Sequence, residues 1–305
     1  TISLKKKNVI DVIDNNPMTL KEINHINILK NISAIRENFY DAAFVLTPSN
    51  IRLEIIKPLV QRGIKYFFIE KPLAIELKKA KQIQSYLDKN SCFAHVSCNL
   101  RFHKAIQIIK KKLSSKLLGK IYYARSTFSH FLPYWRENVD YRKGYNAKKK
   151  LGGNIFIDAI HEPDYLLWLF GDGKTKNFYS TNTKNLEIES DDLSCYMIAH
   201  TSGVISEIFV DYLRNDKFRG LEIVGEHGTL IWKSSGKNPE LVEILMKKKG
   251  NTKKIFADNN YDSNDQYVNQ IKYFIKLINK KNVFMNSPKD AIKTLSIVTN
   301  ESQKT

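Results

Sequence analysis

The sequence predicts an α/β protein. An N-terminal Rossmann-type parallel sheet is followed by an α+β domain with an open antiparallel sheet. Three observations carry this reading. Through the first hundred residues, short apolar runs alternate with helical patterns, the arrangement of βαβ units. Those runs show little polar alternation, as a sheet covered on both faces requires. After about residue 100, hairpin signals dominate, which points to an antiparallel sheet with helices on one face. A chain of 305 residues exceeds one ordinary domain. The change of pattern divides it at 1–99 and 100–305.

Each element has a local reason. Residues 8–13, 42–47 (AAFVLT), 65–69 (KYFFI) and 93–98 read as buried strands. Helical patterns cover 50–62, stopped by Gly63 and interrupted by Pro58, and 77–88. A basic amphipathic helix at 103–112 opens the second part, and a strand follows at 121–129. A polar, aromatic loop runs on through Asn146. Gly152-Gly153 precedes an apolar helical run to Phe170, which Gly171 ends. Strands 193–199 and 204–210 flank Thr201-Ser202-Gly203, and 221–224 and 229–232 flank Glu226-His227-Gly228. Residues 242–246 add a strand, and helices at 265–279 and 289–301 close the chain.

Composition narrows the function classes. Hydrophobic residues make up 42% and charged residues 26%, which excludes a disordered or collagen-like chain. No apolar run approaches the roughly 18 residues of a membrane span, and the start (TISLKKK) has no signal-peptide core. Cys92, Cys98 and Cys195 have no metal-ligand spacing, so no metal and a reducing cytoplasm are expected. The net charge is +18. The lysine triplets at 5–7, 110–112, 148–150 and 247–249 lie far apart without interleaved aromatics. Neither nucleic acid nor membrane is therefore expected as a partner.

Four places could carry chemistry. Asp14 ends the first strand, where an acid can bind ribose hydroxyls; a plain turn aspartate would look the same. Thr47-Pro48 and Glu70-Lys71-Pro72 end later strands, at the edge where open α/β sheets bind ligands. Lys71 could exchange a proton with a hydroxyl, or form a surface ion pair with its neighbour. Asp158 and His161, three apart in an apolar helical run, pair a carboxylate with an imidazole, a general-base arrangement. Acids favour a helix start in any case.

The ordered set resembles the glucose–fructose oxidoreductase/inositol dehydrogenase (Gfo/Idh/MocA) family over essentially the whole chain. It comprises Asp14, Thr47-Pro48, Glu70-Lys71-Pro72, Asn99-Leu100-Arg101-Phe102, Leu118-Gly119-Lys120-Ile121, Gly152-Gly153 with Asp158 and His161, and residues 220–230 (GLEIVGEHGTL). The resemblance implies hydride transfer between NAD, or NADP, and a secondary alcohol or ketone of a sugar or cyclitol. Phosphorylated and nucleotide-linked sugars would suit the positive charge. It implies Lys71 and His161 in proton transfer, and Asp158 binding or orienting the substrate. Asp14, Thr47, Pro48, Glu70 and Lys71 would line the cofactor. Asp14 would favour NAD over NADP. Arg101, Trp135 and Tyr141 are the substrate-side candidates. A dimer or tetramer is expected from the family and the open sheet face. A ligand-sensing member without turnover is the alternative.

Two positions depart from the family pattern. Arg52 stands where many members have histidine, and Asp158 to His161 is three positions rather than four. The opening G-x-G-x-x-G turn is also not in this sequence. From a βαβ unit of about 30 residues, about 15–25 residues are expected upstream. Without that strand, the flanking strands would face each other across a gap of about 10 Å, twice the strand spacing.

Overall fold

Parallel pairing joins strand β1 (Asp11–Val12) to β2 (Asn27–Ile28). The structure is a computed structural model that describes residues 9–16, 23–278, 280 and 284–299. The strand expected over 8–13 is thus reduced to β1, and Asn8 lies outside the described residues. A second parallel sheet has the order β3 (Ala42–Val45), β4 (Tyr66–Ile69), β5 (Phe93–Val96). All four residues of β4 are buried, as its position between two strands requires. Among the described residues, no ladder joins β1 to β3; the Tyr40 hydroxyl bonds the Asp11 carboxylate instead. Apolar side chains stand exposed on both sheets: Val9, Ile10, Ile13, Ile28, Phe44 and Leu46.

Helix α1 (Arg52–Gln61) continues through Pro58. Helix α2 (Leu77–Lys89) buries Leu77, Ala80, Ile83 and Leu87, a spacing that makes one face. Helix α3 (Lys104–Ser114) buries Ala105, Ile106 and Ile109. Strand β6 (Ile121–Ser129) matches its expected bounds. The following loop, through Leu151, is a series of single 3-10 turns.

The single helix expected up to Phe170 is two helices, α4 (Ile155–Asp158) and α5 (His161–Phe170). Pro163 gives the reason. In a continuous helix its missing N–H would cost the bond to the carbonyl of residue 159. The break puts Pro163 in the first turn of α5, where that N–H has no intrahelical partner in any case.

The larger sheet contains β7 (Gly173–Thr181), β8 (Leu193–His200), β9 (Ile205–Asp211), β10 (Phe218–Gly225), β11 (Gly228–Ser235), β12 (Glu240–Lys248) and β13 (Asn251–Tyr261). Its order is β13-β12-β11-β10-β6-β9-β8-β7. The expected open antiparallel sheet is mixed, because β6 and β9 run parallel. Turn signals report hairpins between neighbours in sequence. They carry no information on this pairing across a long crossover. One face of the sheet is buried, with Ala124, Phe128, Ile208, Leu221, Ile223 and Trp232. The other leaves Tyr123, Arg125, Ile205, Glu207 and Phe209 exposed.

The closing helices return to the N-terminal sheet. They are α6 (Asn264–Leu277) and α7 (Pro288–Val298), the latter with a Ser287/Asp290 capping box. Phe274 packs with Tyr66, Phe68 and Phe284, and the Val96 amide donates to the Asn286 carbonyl (2.8 Å). No helix among the described residues is long and apolar enough to cross a membrane.

Candidate active site

Parallel strands bring their carboxyl ends to one edge of the N-terminal sheet. Thr47 follows β3 there, and Glu70 and Lys71 follow β4. Arg52, at the start of α1, is 2% exposed and donates from Nε and Nη2 to the Thr47 carbonyl (3.3 and 3.1 Å). Burial pushes its guanidinium down to about 10, against the opposing pull of Glu70. Sequence reasoning assigned this residue no role. Its observed role is to hold the turn. Thr47 Oγ1 and Arg52 Nη1 are buried without a hydrogen-bond partner among the described residues.

Lys71 reaches from this edge to the second part of the chain. Its Nζ donates to the Asp158 backbone carbonyl (3.1 Å) and lies 3.9 Å from Asp158 Oδ1. The first contact is a hydrogen bond; the second is electrostatic attraction at longer range. Lys71 is 18% exposed, so it is open to a ligand.

Asp158 itself is closed. Its carboxylate accepts from the Tyr145 hydroxyl (2.7 Å), the Tyr212 hydroxyl (2.5 Å) and the Asn146 amide. With Lys71 added, donors surround both oxygens. The carboxylate is 3% exposed and faces Lys71 from this enclosed position. Tyr145, Asn146 and Tyr212 were not singled out from sequence. The available signal was Gly153. A Cβ there would lie 2.1 Å from the Tyr145 carbonyl and 2.5 Å from the Asn146 carbonyl. Only glycine lets α4 approach these residues so closely.

His161 opens α5 just beyond Asp158. Burial, then the charges of Lys71 and Arg219, hold its imidazole well below the ordinary value, so it is neutral at neutral pH. Its Nδ1 has no partner among the described residues. Glu162, fully buried, accepts from Arg219 Nε (2.7 Å). Arg219 in turn lies 4.2 Å over the Phe128 ring, its cross-strand neighbour. Lys71 thus contacts Asp158, and its charge and that of Arg219 act on His161.

The remaining candidates are placed differently. Asp14 is exposed, and its Oδ1 accepts from the Asn16 amide (2.7 Å), a turn contact at the end of β1. Pro48 is exposed beside Thr47. Arg101 is 4% exposed and bonds Asp164 through Nε and Nη2 (2.8 Å each) and the Met285 carbonyl through Nη1 (2.6 Å). That is a buried clamp across three segments. Trp135 donates Nε1 to the His130 carbonyl (3.0 Å) and meets Tyr212 edge-on, so it supports Tyr212. The Tyr141 hydroxyl accepts from the Glu187 amide (3.4 Å).

Comparison with known proteins places the chain in a family. The family described as the NAD-binding Rossmann fold of an oxidoreductase family matches residues 2–98. The one described as the GFO/IDH/MocA C-terminal domain matches residues 106–231. Inositol 2-dehydrogenase/D-chiro-inositol 3-dehydrogenase of Lacticaseibacillus casei is 26% identical over 214 residues, covering 68% of this chain and 58% of that protein. The scyllo-inositol 2-dehydrogenase (NAD(+)) of Bacillus subtilis (strain 168) is 28% identical over 133 residues, 43% of this chain and 35% of that protein. The chain thus spans less than two thirds of either curated relative. A solved structure of a putative NADPH-dependent oxidoreductase from Desulfitobacterium hafniense shares the fold, with TM-score 0.82 and 10% identity, over 97% of this chain and 89% of that one. The chain belongs to the Gfo/Idh/MocA oxidoreductase family.

Proposed function

We propose that the protein is a nicotinamide-dependent dehydrogenase or reductase of a secondary alcohol on a sugar or cyclitol. The observation that carries this is Lys71, from the parallel-sheet edge, held on Asp158 with its charge acting on the neutral imidazole of His161. A pure binding site has no need of an ammonium beside a neutral imidazole.

Thr47 Oγ1, buried and unpartnered at that edge, fits a polar contact to a dinucleotide. Thr47, Pro48, Glu70 and Lys71 would hold the group, with Asp14 toward its ribose. NAD is the proposed form because Asp14 would repel a 2′-phosphate. When bound, the nicotinamide supplies the site that accepts or gives the hydride. His161, neutral, takes the hydroxyl proton as the alcohol is oxidised and returns it on reduction. Lys71 donates a hydrogen bond to the same oxygen and stabilises the charge that develops there. Asp158 fixes Lys71 from behind.

Small polyols and sugars are the proposed substrates, with phosphorylated and nucleotide-linked sugars included because of the charge of +18. The exposed outer face of the large sheet, with Tyr123, Ile205 and Phe209, supports pairing with a second copy. The test is the absorbance of NADH or NADPH during incubation with inositols, aldoses, sugar phosphates and nucleotide sugars. Turnover with at least one supports the reading. Tight sugar binding without any change in cofactor redox state would instead make the protein a sensor.

A further inference from the structure

Asp158 leaves the substrate side of the site without an open carboxylate. The side chain that extends from it toward solvent is Tyr145. Two phenols bond Asp158, and they differ in one respect. Tyr212 is 0% exposed, whereas Tyr145 is 40% exposed. Burial nevertheless raises the Tyr145 phenol, and Arg136 of the 133–139 loop acts on it electrostatically. Of the two phenols on Asp158, Tyr145 is the accessible one.

The direction of the Tyr145 bond determines what its hydroxyl can recognise. A carboxylate ringed by donors has only lone pairs to offer. The Tyr145 proton is therefore committed to Asp158 Oδ1 at 2.7 Å. What the phenol oxygen retains is acceptor capacity. We propose that Tyr145 is a substrate-contacting, specificity-determining residue, whose oxygen accepts a hydrogen bond from a hydroxyl of the polyol next to the reacting carbon. The inference rests on the polyol reading above and extends it. It selects a hydroxyl, a donor, at that position over a deoxy or O-methyl group. An analogue lacking that hydroxyl forfeits the hydrogen bond to the phenol oxygen and binds more weakly.

The test uses scyllo-inositol, myo-inositol and their mono-deoxy and mono-O-methyl derivatives, with wild type, Tyr145→Phe and Tyr212→Phe. One neutral hydrogen bond corresponds to about tenfold in affinity. Tyr145→Phe should raise KM for the parent inositol about tenfold, erase discrimination against the analogue lacking the hydroxyl, and leave NAD affinity measured by fluorescence unchanged. Tyr212→Phe should lower thermal stability and leave the discrimination in place. Unchanged KM and unchanged discrimination in Tyr145→Phe would overturn the assignment. A second readout needs no turnover: 3-fluorotyrosine at position 145, followed by ¹⁹F NMR as inositol is added. A shifted signal without turnover supports the contact while the dehydrogenase reading fails. No shift at saturating inositol overturns the contact, whatever the turnover.

Discussion

A neutral imidazole is a usable base only above its own pKa, and for His161 that value sits well below 6.5 because of burial and the Lys71 and Arg219 charges. Alcohol oxidation at saturating substrate should therefore not fall as pH drops through 6.5; its acid limb belongs lower. A pH–rate profile that breaks near 6.5 would contradict this. His161→Asn should cost about 10²–10⁴-fold in kcat, the usual share of a general base, with cofactor affinity by fluorescence titration unchanged. Lys71 and His161 were legible in sequence because glycine, proline and strand ends punctuate them. The environment of Asp158 was not. Tyr145 and Asn146 lie in a loop without periodicity, and Tyr212 is 54 positions away. Only the folded chain brings their donors onto one carboxylate.

Elements, rather than single residues, decide whether those side chains arrive. Strands 42–45, 66–69 and 93–96 could be read from sequence because buried parallel strands are almost wholly apolar. Strand β13 could not: most of its residues are exposed, and its NTKK start has the polarity of a loop. Such an edge is charged because an apolar one would pair with other chains. The α4–α5 break runs against the apolar periodicity, which continues across Ala159-Ile160, and Pro163 was its one sequence signal. Gly153 offers a test of how tightly α4 packs on the 145–147 turn. Gly153→Ala would put a Cβ 2.1 Å from the Tyr145 carbonyl, so the turn must move. The expected loss is about 1–3 kcal/mol of unfolding free energy in urea, together with a raised substrate KM, because Tyr145 moves with its carbonyl. The Arg101–Asp164 pair makes a different prediction. Arg101→Met leaves Asp164 buried without its partner, which costs about 3–5 kcal/mol. Adding Asp164→Leu should recover much of that stability. A KM effect without a stability effect would return Arg101 to the substrate.

Across the whole molecule, the seam between the parallel sheet and the rest of the chain is fastened by buried neutral histidines, and this sets how the fold responds to acid. His95 on β5 is fully buried against Phe274 and Phe284, within hydrogen-bond distance of Gln270 on α6 (2.9 Å). Burial, with the nearby Arg101 charge, pushes its imidazole down to about 3. His103 caps α3, accepts from the Ala105 amide at Nδ1 (3.1 Å), and packs on Trp232 and Tyr261. Burial pushes it down to about 4; Arg219 and Lys217 add to this, and Glu240 opposes it. In the unfolded chain both titrate near 6.5. Below that pH the unfolded state binds protons that the folded state refuses, so stability falls as pH drops from 6.5 toward 4 and 3. The slope is about 1.4 kcal/mol per pH unit for each histidine fully protonated only when unfolded. Above about pH 5, carboxylates of ordinary pKa contribute little, since they titrate near 4. Urea midpoints measured between neutral pH and pH 5 should therefore decline. His103→Asn, which keeps a capping side chain, should flatten the decline even if it lowers stability at pH 7. A midpoint independent of pH across that range would mean that the histidines at the seam become protonated without unfolding the chain.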